Sequence, residues 1–104
     1  MTRLIITETA LADLDEIWLY IAQDSYPQYA DAIHDKLFAS FRLLQKNPNM
    51  GVTRDETGKG VRFFPVEKIN IIYWLKGSNL EILRVHHSAL DSNILNYKKG
   101  GVRV

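Results

Sequence analysis

Cysteine is absent from the 104-residue chain. That excludes disulfides, a thiolate nucleophile, zinc–thiolate sites and iron–sulfur clusters, and it fits a reducing compartment. No apolar run approaches the roughly 18 residues of a membrane span. The first residues, Met1 to Thr7, are too short a stretch, and too soon followed by the acidic Glu8, to form a signal peptide. The expected location is therefore the cytoplasm. A large charge of either sign is also missing: the net charge is +1. Its distribution is uneven. Residues 1–58 carry five basic and nine acidic groups, whereas residues 59–104 carry eight basic and three acidic ones. The C-terminal half is where an acidic partner or a nucleic acid would be drawn, unless the charge simply solvates a face.

What is present suits one small domain. Apolar residues make up 46% and charged residues 24%, ordinary values for a globular chain of this length. Leu4-Ile5-Ile6-Thr7 reads as a first strand, starting at Arg3. Thr9 is placed to cap a helix, with Asp13 near its positive end. Leu11, Leu14, Trp18 and Ile21 recur at helical spacing, joined by Ala10, Ile17 and Ala22. Pro27 ends this helix and suits the first turn of a second. In that second helix Ala30, Ile33, Leu37, Phe41 and Leu44 form one stripe, and it stops before Asn47-Pro48. The short link makes the two an antiparallel hairpin.

Residues 48–60 read as loop. Strands are expected at Val61–Val66, Ile69–Leu75 and Leu80–His87, joined by Glu67-Lys68 and Lys76-Gly77-Ser78-Asn79. The predicted order is β-α-α-β-β-β: an α+β domain, with a helix hairpin on one face of a small, mostly antiparallel sheet. The domain is expected to span residues 1–104. Ile94, Leu95 and Tyr97 suggest a last helical turn or edge strand, and 98–104 a basic, flexible tail.

Five segments now occur in a telling order. They are Ala12-Asp13-Leu14-Asp15-Glu16-Ile17-Trp18-Leu19-Tyr20-Ile21-Ala22, Leu43 through Gly51, Arg54-Asp55-Glu56, Gly60 through Val66 with Ile71-Ile72-Tyr73, and Glu81 through His87. Together, over residues ~3–91, they resemble the ParE-like toxins of the ParE/RelE superfamily. The family pattern closes with His-Gly-x-Arg-Asp. Here the stretch is His87-Ser88-Ala89-Leu90-Asp91, so Ser88 and Leu90 stand where the family has glycine and arginine.

The resemblance implies a toxin neutralised by an antitoxin encoded beside it, whose acidic C-terminal segment wraps the toxin and whose N-terminal part binds DNA. A homodimer or a hetero-oligomer with the antitoxin is in keeping with this. ParE-like members inhibit DNA gyrase, which leaves breaks in DNA and stops growth; RelE-like relatives cut messenger RNA on the ribosome. No cofactor is implied.

RNA cleavage through the 2′-hydroxyl needs a base, an acid and cations on the phosphate. The candidates are Arg62, Arg84, His86 and Glu56. Simple alternation puts Ile82, Arg84 and His86 on one strand face, and Glu81, Leu83, Val85 and His87 on the other. His86 and His87 therefore do not form a metal pair. The middle strand offers Asn70 where some relatives place an arginine, which leaves the charge clamp incomplete. A gyrase inhibitor needs no catalytic residue. Its candidate contacts to target or antitoxin are Arg62, Trp74, Arg84, His87, Asp91, Lys98, Lys99 and Arg103. A detoxified member acting only in the antitoxin complex is the third alternative. Ordinary structural roles compete: Arg84 could pair with a carboxylate such as Glu56, the histidines could end a strand, and Trp18 and Tyr20 could be core and rim aromatics.

Overall fold

The computed structural model describes residues 2–90. Strand β1 (Arg3–Ile6) leads into helices α1 (Glu8–Asp24) and α2 (Pro27–Lys46). Four strands follow: β2 (Val52–Thr53), β3 (Arg62–Val66), β4 (Ile69–Lys76) and β5 (Asn79–His87). They form one sheet in the order β1-β5-β4-β3-β2. Every pairing is antiparallel except that of β1 with β5, which is parallel. The helix hairpin and strands β2 to β4 lie between them in the chain and provide the long connection a parallel pair needs. Asp91, Ile94, Leu95, Tyr97, Lys98, Lys99 and Arg103, and the tail expected at 98–104, lie outside the described residues.

Helix α1 is capped by Thr7, not Thr9. The Thr7 hydroxyl accepts from the Ala10 amide at 3.1 Å and donates to the Ile82 carbonyl at 2.9 Å, so the cap also fastens the helix to the middle of β5. Pro27 opens α2 at its first turn, as its missing N–H favours. The predicted α2 stripe is wholly buried. The α1 stripe is shifted: Ala10, Asp13, Leu14, Ile17 and Ile21 are buried, whereas Leu11 points outward. Trp18 stands at the rim, its indole N–H donating to Asp31 of α2 at 2.8 Å.

These stripes meet Ile69, Ile71, Tyr73, Leu80, Ile82 and Val85 in one core. Both helices therefore cover the same face of the sheet. The two-residue turns at Glu67-Lys68 and Gly77-Ser78 lie where the sequence placed them. Gly77 adopts φ 64°, which suits glycine, and Glu67 adopts φ 58°, which does not. Glu67 is held there by an ion pair to Lys36 of α2. The pair β2 was not expected; it turns part of the 48–60 loop into an edge.

The alternation expected along β5 fails at its middle. Ile72 pairs with Arg84 but Tyr73 pairs with Ile82, so Leu83 is an extra residue, a β-bulge. The bulge shifts the phase by one. Ile82 joins Leu80 and Val85 in the core, and Glu81, paired with Trp74, shares the opposite face with Arg84 and His86.

Candidate functional site

Beyond Ile82 the outer edge of β5 has no β1 partner, because β1 ends at Ile6. Asp13 of α1 fills the gap. One carboxylate oxygen accepts from the Val85 amide at 2.9 Å and from Arg84 Nε at 2.8 Å; the other accepts from Arg84 Nη2 at 3.0 Å. The fork geometry is the strong, bidentate kind. Asp13 is the buried charged residue of the described core, at 8% exposure, while Arg84 keeps 39% of its side chain exposed. The hydrogen bond to Asp13 raises the Arg84 pKa, so the guanidinium stays charged. Arg84 thus pairs with Asp13, not with Glu56. Sequence reasoning missed Asp13, although a signal existed: an acid on the stripe Ala10–Asp13–Ile17 occupies a position that otherwise carries apolar residues.

A second cluster lies at the other side of the sheet, on the face the helices cover. Tyr73 is fully buried. Its hydroxyl accepts from the Gly51 amide at 2.8 Å and donates to the Pro48 carbonyl at 2.7 Å. Arg62, its register partner, donates to the carbonyls of Gly51 at 2.7 Å and Asn49 at 3.2 Å. Burial raises the Tyr73 pKa, with the Gly51 hydrogen bond and the Arg62 charge opposing. Gly51 is required by this approach, since a Cβ there would lie 2.6 Å from the Tyr73 hydroxyl. Arg62 and Tyr73 together pin the loop after α2.

The four residues considered for RNA cleavage are consequently dispersed. Arg62 lies on the helix-facing side, in register with Tyr73, while Arg84 pairs with Ile72 on the opposite side, two strands away. Glu56 sits exposed in the β2–β3 connection, 3.9 Å from Arg54. His86 shares the open face with Arg84, its register partner being Asn70. His87 faces the helices, its ring 5.3 Å from Tyr20, and its Nδ1 accepts from the Ala89 amide at 3.0 Å. Residues 88–90 adopt helical geometry, and Leu90, where the family has arginine, packs on the core. Beside them a cleft of about 300 Å³ is lined by Tyr20, Asp24, Tyr29, Lys68 and His87, among others. Trp74 lies on the open face, its indole donating to Glu81 at 2.9 Å with the Lys76 ammonium over its ring. Among the described residues no group of three acidic or histidine side chains could hold a metal ion. Nor is any described helix long and apolar enough to cross a membrane.

The family model for the ParE toxin of the type II toxin–antitoxin system, parDE, matches residues 4–91. The chain belongs to the ParE toxin family. It is 28% identical to Toxin ParE3 of Caulobacter vibrioides over 85 residues, covering 82% of this chain and 85% of that toxin. Toxin ParE1 of the same organism is 26% identical over 87 residues, covering 84% and 90%. A solved structure described as the chromosomal ParDE TA system from P. aeruginosa superposes with a TM-score of 0.74 at 28% identity, over 84% of this chain and 96% of that one. The toxin fold, with two helices on a mixed five-stranded sheet, is shared. The chain is thus a toxin component of a type II toxin–antitoxin system, and a cognate antitoxin is its implied partner.

Proposed function

We propose that this toxin acts in the cytoplasm by binding DNA gyrase and arresting growth, and that the acidic C-terminal segment of its antitoxin neutralises it. The observation that carries this choice over RNA cleavage is the placement of the two strand arginines. Arg62 and Arg84 lie on opposite faces of the sheet, and each is already committed, Arg62 to loop carbonyls and Arg84 to Asp13. A scissile phosphate between them would need both cations on one surface. A protein–protein inhibitor needs only a well-ordered surface, and the Asp13–Arg84 fork and the Tyr73 clamp order the sheet at both sides.

Leu90 favours a second reading, a detoxified member. An apolar side chain packed on the core replaces the family's basic residue at that position. Plasmid supercoiling by purified gyrase, run beside a reconstituted translation reaction, separates the alternatives. Loss of supercoiling with trapped, cleaved plasmid and intact messenger is the expected outcome. Cut messenger with normal supercoiling would establish the nuclease. Silence in both assays, from folded protein, would support the detoxified reading, and Leu90→Arg would then be the variant to assay.

A further inference from the structure

Charge in the described chain is sorted by layer. Helices α1 and α2 hold seven acidic and three basic residues, whereas the strands and their connections, residues 2–7 and 47–90, hold four acidic and seven basic ones. The side of the sheet away from the helices thus belongs to the positive layer, and among the described residues no helix covers it. Two aromatic rings lie on that face. Phe63 is in register with Ile72, and Trp74 follows two residues along the same strand as Ile72. Diagonal neighbours on adjacent strands are about 7–8 Å apart. Each ring carries a cation: the Arg54 guanidinium is 5.1 Å from the Phe63 centroid, and the Lys76 ammonium is 5.8 Å from that of Trp74. Arg54 and Lys76 are both exposed. Arg3 sits on this face too, in register with Asn79, because its neighbour Leu4 pairs with the core residue Leu80. Glu81 accepts the indole N–H and so fixes the plane of Trp74.

We propose that this open face binds single-stranded nucleic acid, with Phe63 and Trp74 as stacking positions and Arg3, Arg54 and Lys76 as phosphate contacts. This goes beyond gyrase inhibition and stands or falls separately. The magnitudes favour a base over the resting arrangement. An exposed cation–π contact is a weak interaction, and stacking a base on an aromatic side chain is the stronger of the two. A base can therefore displace Arg54 or Lys76 from its ring, and the freed cation then meets the adjoining phosphate. An acidic peptide would use the cations but leave the rings without a partner. Arg84 is left out of the contact set because the buried Asp13 holds it in a bidentate fork, whereas the 3.9 Å contact of Arg54 to Glu56 is long and exposed and costs little to break.

Trp18→Phe leaves Trp74 as the sole tryptophan, a reporter on the face itself. Titration with a short oligothymidylate at low salt should quench its fluorescence saturably. Arg54→Ala with Lys76→Ala, at an unchanged melting temperature, should weaken binding and flatten the log–log salt dependence by about 1.4, two phosphate contacts on a single strand. In the otherwise unaltered chain, with a labelled oligothymidylate, Trp74→Phe should retain binding while Trp74→Ala loses about 5–150-fold, the equivalent of one stacked base. A mere charge patch would not distinguish those two. No saturable quenching up to roughly 100 μM, the weak end of ordinary non-specific binding, would overturn the proposal. So would equal quenching by polyglutamate, which would make the face a dock for acidic peptide.

Discussion

The side of the sheet that meets the helices is closed by Ile69, Ile71, Tyr73, Leu80, Ile82 and Val85, each at most 2% exposed. The other side presents Phe63, Trp74, Glu81, Arg84 and His86, all half-buried, over a single well-covered aliphatic residue, Ile72. The same strands supply both sides, and the register decides which residue serves which. Burial on the first side commits its residues to stability. On the second, aromatic rings paired with exposed cations cost the fold little to keep and remain available to a partner. Two polar devices mark the boundary. Asp13 closes the outer edge of β5 where β1 ends, and Tyr73 closes the loop that leads into β2.

Substitutions should separate the two sides by size of effect. Phe41→Ala, which empties the centre of the helix–sheet core, should cost about 3–5 kcal/mol in urea unfolding; a cost near zero would mean the helices do not close that face. Asp13→Ala strands the Val85 amide and a half-exposed guanidinium, so after solvent screening about 2–3 kcal/mol should be lost. Asp13→Asn, which keeps an acceptor for Val85, should lose less, and equal losses would show that the charge alone matters. Tyr73→Phe should cost about 1–2 kcal/mol by leaving the Gly51 amide and Pro48 carbonyl unpaired.

The raised Tyr73 pKa sets a pH dependence as well. The buried phenol is the favoured form in the fold. Its contribution is complete below the unfolded value of about 10 and is lost as pH rises through the higher folded value. Wild type should therefore lose more stability than Tyr73→Phe in that alkaline window, and parallel profiles would contradict the clamp. At the small end, Trp74→Ala on the open face should change stability by less than about 1 kcal/mol. A larger loss would mean that the open side is structural after all.

The helix hairpin and four of the five strands were legible because their periodicities are unmistakable: the stripe Ala30–Ile33–Leu37–Phe41–Leu44 is buried as spaced. The exceptions share a cause, in that tertiary contacts chose between locally equivalent options. Thr7 and Thr9 are equally good caps by composition, but only Thr7 also reaches the carbonyl of Ile82. Leu11 and Ala10 are both apolar, and the angle of α1 against β5 buries the alanine. The bulge was invisible because Ile82 and Leu83 are both apolar, so an inserted residue leaves no gap in the pattern. Strand β2 is two exposed residues whose only signature is pairing with β3. At the site, Arg62 and Arg84 were picked out for their type, but residue type carries no partner. Once the bulge and the register are known, both prove to be braces, and the acid that orients Arg84 lies 71 residues earlier in the chain.

The most direct measurement is a physical one: size-exclusion chromatography of the purified 12.0 kDa chain with DNA gyrase and a duplex, with and without the antitoxin. The expected result is co-migration of the toxin with gyrase, abolished when the antitoxin is added. Folded toxin that arrests growth yet never co-migrates with gyrase, and instead associates with ribosomes, would contradict the gyrase target.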